Sequence, residues 1–177
     1  MSRRLADGIQ AEPPRSDRPV ETAIVALGAN LGDCVETLEA AVADIRRLPL
    51  VDGIRVSPAV ESVAVTLDGP DAEAPAYLNA VAIVRTRLAP TVLLGYLHAI
   101  EARHGRVRRE RWGDRTLDLD LIAYGDVRSD APALLLPHPR AAERDFVLEP
   151  WLALDPDAVL PGRGRVDALL ADLRNRR

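Results

Sequence analysis

Apolar positions along this chain fall into blocks of two different periods. Thr22 to Leu27, TAIVAL, is a short apolar run that stops at GANLGD, the pattern of a buried strand running into a turn. Asp33 suits a helix N-cap, and Val35, Leu38, Val42 and Ile45 then recur at helical spacing as far as Arg47. GIRVSPAVESVAV is valine-rich extended chain broken by Pro58, as an edge or bulged strand is, and LDGPDAEAPA reads as a loop. YLNAVAIVRTRL, from Tyr77 to Leu88, reads as a further strand. Pro90 opens a helix with Leu93, Leu94, Leu97 and Ile100 on one face, and Gly105 closes it. After an arginine-rich loop comes the strand TLDLDLIAY. A turn-rich connection then leads to LPHPR, a short helical stretch AERDFVLEPWLAL and a final helix from about Val166.

The order strand, helix, strand, strand, helix, strand predicts an α/β (α+β) fold of the ferredoxin-like, split βαβ kind, with helices packed on an antiparallel or mixed sheet. At 177 residues and 47% hydrophobic content the chain suits one domain, residues 21–177. Residues 1–20 are polar, proline-bearing and aperiodic, and read as a disordered leader. A net charge of -4 gives no general attraction to nucleic acid or to an anionic membrane. Cys34 is the only cysteine, so no intrachain disulfide forms. The N-terminus has no apolar signal core, and no run approaches the roughly 20 apolar residues of a membrane span. The expectation is a soluble cytoplasmic protein.

All 23 basic side chains are arginine. GC-rich coding explains that choice, although the planar guanidinium also suits phosphate oxygens. Arg106, Arg108, Arg109, Arg111 and Arg115 crowd around Trp112 just before the pair Asp118 and Asp120. In a strand, Leu117, Leu119 and Leu121 point to one face and Asp118 and Asp120 to the other, the two carboxylates ~6.6 Å apart at about 3.3 Å per residue. D-L-D-L alternation alone also describes a strand with one solvated face. Beside the arginines it has a sharper meaning, because phosphoryl transfer needs a metal to bridge phosphate oxygens and guanidinium groups to absorb their charge. Magnesium prefers such hard oxygen ligands.

ALGANLGD, AYLNAV, EARHGRVRRERWGDRTLDLDLIAYGD and LPHPRAAERDFVLEPWLALDP, in this order and at these distances, resemble the 6-hydroxymethyl-7,8-dihydropterin pyrophosphokinases of folate biosynthesis. The resemblance covers about Ala23 to Pro161, and RWGDRTLDLDL is its most specific part. It implies transfer of pyrophosphate from MgATP to the hydroxymethyl group of the reduced pterin, with release of AMP. It implies that Asp118 and Asp120 hold two Mg²⁺ ions, one bridging the α- and β-phosphates and one the β- and γ-phosphates. Tyr77, Asn79 and Phe146 match positions of the pterin pocket, and Trp112 the aromatic that folds over it. Arg108 and Arg115 match arginines that act on the phosphates. His138, Arg144 and Glu101 match positions near the nucleotide. It implies ATP and 6-hydroxymethyl-7,8-dihydropterin as partners; a monomer without nucleic acid or membrane is the expectation for the chain.

The chain departs from the family where VESVAV, Val60 to Val65, replaces a proline-rich segment, where Asp114 replaces a common proline, and where Pro139 stands for a tyrosine. His98 and His104 read as helix-surface residues, having no cysteine or carboxylate at ligand spacing. A nucleic-acid module on a ferredoxin-like sheet would need aromatics in its central strands, and TAIVAL and TLDLDL have none. An inactive relative would lack Asp118, Asp120, Arg115 or His138, and all are present.

Overall fold

The structure is a computed structural model and describes residues 17–62, 64–66, 69–71, 76–105 and 116–176. Arg108, Trp112, Arg115 and most of the expected leader lie outside the described residues. In chain order the elements are β1 (Glu21–Ala29), α1 (Cys34–Arg46), β2 (Val51–Val56), β3 (Val60–Ser62), β4 (Ala64–Thr66), β5 (Gly69–Asp71), β6 (Tyr77–Thr86) and α2 (Pro90–Arg103). Then follow β7 (Asp118–Tyr124), β8 (Ser129–Ala131), β9 (Leu134–Leu136), a 3-10 turn at Ala141–Glu143, α3 (Asp145–Leu154), β10 (Val159–Leu160), β11 (Gly164–Arg165) and α4 (Val166–Asn175).

The main sheet has the order β2-β6-β1-β7, with β3 also on β6, and every pairing in it is antiparallel. β6 therefore lies between β1 and β2, the two strands that α1 connects, which is the split βαβ topology the element order predicts. Local chemistry starts both crossover helices. Asp33 Oδ1 accepts from Glu36 N at 2.9 Å at the head of α1, and Pro90 supplies the first residue of α2, where no N–H is needed.

Both faces of the sheet are covered, by different helices. On one face Leu38, Ala41 and Ile45 of α1 and Leu93, Leu97 and Ile100 of α2 pack on alternate residues of β1 and β6 and on Leu117, Leu119 and Leu121. Each such aliphatic side chain contributes about 1.5–3 kcal/mol on burial. On the other face Ile24, Val81, Ile83 and Ile122 meet Val147, Leu148 and Trp151 of α3 and Val166 and Leu170 of α4.

Two expectations change. Val35 is 57% exposed, and Ala41 occupies the buried stripe of α1 instead, so the helical phase is turned slightly. The stretch read as a loop contains β5, which pairs with β4 as a small hairpin. Strands of three residues offer too few alternating positions to be read from the sequence. Among the described residues no helix is long and apolar enough to cross a membrane.

Candidate active site

β7 is the outermost strand of the sheet beyond β1. Its burial alternates as the sequence predicts: Leu119 is buried against the α1–α2 layer, while Asp118 and Asp120 are half-exposed on the opposite face. That face is also the one α3 covers, but α3 begins only at Asp145 and packs over Ile122 and its neighbours. The aspartates sit beyond its start.

Strand register builds the floor beside them. Gly28 of β1 lies opposite Asp118 on one side and opposite Asn79 on the other, and Ala26 lies between Asp120 and Val81 in the same way. Directly opposed residues share a face. Asn79, Gly28 and Asp118 thus form one row across three strands, its ends about 10 Å apart at two strand spacings. A Cβ on Gly28 would meet Asn79 Oδ1 at 3.3 Å and Tyr77 Cδ1 at 4.0 Å, so glycine keeps the middle of the row shallow.

Asn79 is buried at 6% exposure, and its Nδ2 donates to Ser62 Oγ at 2.8 Å and to the Tyr77 carbonyl at 3.3 Å. The amide is therefore fixed in orientation. Ser62, on β3, was not among the residues the sequence singled out; it lies in VESVAV, and a bond spanning 17 positions has no local signature. Phe146 is half-buried in the first turn of α3, with the Arg144 guanidinium 5.7 Å from its ring centre, a cation–π distance.

Around Asp120 the structure brings together two of the side chains expected near the nucleotide, Arg144 and His138. Arg144 Nη1 donates to Asp120 Oδ2 at 2.8 Å, and His138 Nε2 is 3.9 Å from the same oxygen. A bulge places the histidine. Between Ile24–Val25 and Leu121–Ala123 the β1–β7 register shifts, leaving Ile122 as an extra residue, and the Ile122 carbonyl accepts His138 N–H at 2.8 Å. Bulges re-aim the chain in this way beside functional sites. His138 Nδ1 accepts from Arg140 N at 3.2 Å, so the neutral ring carries its proton on Nε2, toward Asp120. Burial holds the His138 imidazole below its ordinary pKa; Asp120 opposes this, Arg144 and Arg140 reinforce it, and Asp118 opposes it more weakly.

Glu101, expected near the nucleotide, lies on the inward side of α2. It is 1% exposed, inside the protein under β7, and its Oε1 accepts Leu119 N–H at 2.8 Å. His104 is likewise no plain surface residue, because its Nε2 lies 3.1 Å from Asp44 Oδ2 on α1, with Arg103 Nη2 on the same oxygen at 3.3 Å. Helical periodicity shows an apolar stripe and gives no sign of either tie.

Cavities of about 660 and 600 Å³ lie elsewhere, one between the sheet and Trp151, the other between α1 and β6. Among the described residues no three His, Cys, Asp or Glu side chains gather as a closed metal site. Two carboxylates on an open face fit a hard cation that takes its other ligands from phosphates and water, as Mg²⁺ does.

Comparison with known proteins decides the family. Residues 24–156 match the model of 7,8-dihydro-6-hydroxymethylpterin-pyrophosphokinase (HPPK). The chain belongs to the HPPK family. It is 43% identical over 152 residues to a 2-amino-4-hydroxy-6-hydroxymethyldihydropteridine pyrophosphokinase of Pseudomonas aeruginosa, covering 86% of this chain and 91% of that one. It is 42% identical over 143 residues to the protein of that name from Synechocystis, covering 81% and 71%. A crystal structure of Plasmodium falciparum HPPK-DHPS superposes with a TM-score of 0.68 at 12% identity over 92% of this chain, which confirms the fold. This chain spans 46% of that longer one. As an HPPK the protein is a pyrophosphokinase of folate biosynthesis.

Proposed function

We propose that the row Asn79–Gly28–Asp118, with Asp120 beside it, is where this HPPK brings a pterin and MgATP together. The reading is carried by one observation: Asp118 and Asp120 project from one face of β7, at one end of a strand-to-strand row whose other end is a fixed amide. The pterin lies toward Asn79, whose amide reads the edge of the ring, with Tyr77 and Phe146 packing on its faces. Its hydroxymethyl group then points along the row toward the aspartates.

In the reaction the hydroxymethyl oxygen bonds to the β-phosphorus of ATP, the bond from that phosphorus to the α-phosphate oxygen breaks, AMP leaves, and the hydroxyl proton passes to solvent. Asp118 and Asp120 would hold two Mg²⁺ ions, which would draw charge from the phosphates. Arg144 and His138 reach the triphosphate from the side of Asp120; Arg108 and Arg115 also act on the phosphates. Arg144 Nη1 lies 2.8 Å from Asp120 Oδ2, and its guanidinium can donate to a phosphate oxygen as it does to this carboxylate. Trp112 covers the pterin. The enzyme acts as a cytoplasmic monomer on these two small substrates, without nucleic acid or membrane.

The test is AMP release from ATP and Mg²⁺, with and without 6-hydroxymethyl-7,8-dihydropterin, on the wild type and on Asp118→Ala. Pterin-dependent AMP that disappears in the variant is expected. Wild-type turnover in Asp118→Ala would overturn the metal assignment, and folded wild type releasing no AMP would overturn the reaction.

A further inference from the structure

Among the described residues β7 is the outermost strand of the sheet, and the backbone groups on its outer side meet no further described strand. Leu119 is buried at 1% exposure, and a buried N–H needs an acceptor. Glu101 provides it, from a position 18 residues earlier on α2. The choice is a costly one, because a carboxylate at 1% exposure gives up nearly all its water, whereas a neutral side chain could accept the same bond. A carboxylate makes the stronger hydrogen bond.

Which amide it holds matters more. Leu119 stands between Asp118 and Asp120, and its nitrogen belongs to the peptide joining Asp118 to Leu119. Fixing that peptide fixes the direction in which the Asp118 side chain leaves the strand, and through it the spread of the two carboxylates. Glu101 also lies one turn before Gly105, where a Cβ would stand 3.8 Å from Thr116 Oγ1, so the end of α2 and the approach to β7 touch there. Glu101 thus braces α2 against the strand that carries both aspartates.

We propose that Glu101 is a positioning residue: it holds the Leu119 amide and so sets the aim of Asp118 and Asp120, without touching the nucleotide. This rests on the two aspartates being the metal ligands.

The test uses the full chain labelled with ¹⁵N, comparing Glu101→Gln and Glu101→Leu with wild type. Leu119 amide exchange is followed without ATP or metal, and kcat and the KM for ATP are measured separately. In Glu101→Gln the weaker acceptor should speed Leu119 exchange by roughly tenfold and lower kcat while the KM for ATP holds. In Glu101→Leu, exchange should rise by about 100-fold or more, with a kcat loss of at least tenfold and again no matching change in KM. The glutamine variant carries the test alone if the leucine variant does not fold. A raised KM for ATP with Leu119 still protected would make Glu101 a nucleotide contact and overturn the proposal. Wild-type kcat with Leu119 unprotected would overturn it too. The exchange measurement involves no substrate, so an enzyme that failed to release AMP would sink the reaction while leaving the Glu101–Leu119 tie to be judged on its own.

Discussion

The two faces of β7 differ by a single residue of phase and by almost everything else. Leu117, Leu119 and Leu121 are buried at 0%, 1% and 4% exposure in the α1–α2 layer, while Asp118 and Asp120 between them stand in a polar opening lined by Arg144 and His138. One short strand thus carries both a core face and the face proposed to bind the substrates. Stability and chemistry should separate cleanly by face.

The sharpest way to break that separation is at the aspartates. Asp120→Ala should lower the rate of AMP formation by several orders of magnitude, on the scale of about 10³-fold or more for loss of a metal ligand, with little change in Tm. Steady-state kinetics beside a thermal melt checks both halves. Leu119→Ala should do the reverse, costing about 2–5 kcal/mol in a denaturant titration, because it opens a cavity against α2. Gly28→Ala lies in the row between the two functions and sharpens the contrast. Its methyl would press on Asn79 Oδ1, so the KM for the pterin should rise by about tenfold or more while ATP binding, followed calorimetrically, is kept. The smallest effect is expected far from the site. Tyr124, buried on the helix-covered face, donates its hydroxyl to the Leu88 carbonyl. Burial pushes its pKa above the ordinary value; the Arg18 charge pulls it down and Glu21 pushes it up. A group with a raised folded pKa contributes stability below its unfolded value, near pH 10, and loses it as pH climbs through the folded value. Tyr124→Phe should therefore cost about 1 kcal/mol at neutral pH and flatten the alkaline end of the stability curve, followed by circular dichroism against pH.

Much of this architecture was legible because its signals are local. The Asp33 cap, Pro90 at the start of α2 and the leucine alternation around Asp118 each state their structure within a few residues. The aspartate pair and its partner Arg144 could be named from the sequence as well, although their contact joins positions 24 residues apart. The bulge at Ile122 could not be read, because it exists only as a mismatch between β1 and β7. Ser62 and the inward turn of Glu101 were hidden for the same reason: each depends on a partner 17 or 18 positions away, and composition does not reveal which of several strands will lie alongside. Resemblance put Glu101 near the nucleotide; its burial and its bond to Leu119 N were not legible in the sequence.

The shared row through Gly28 also constrains how this enzyme could be redesigned. Asn79 and Asp118 sit on different strands, yet both take their places from the same residue of β1. A change that widened the ring pocket by shifting β1 would also move the aspartate end, so substrate range and turnover cannot be adjusted independently from that strand. New specificity is more accessible from β3, where Ser62 accepts from the Asn79 amide and pairs with β6 rather than with β7.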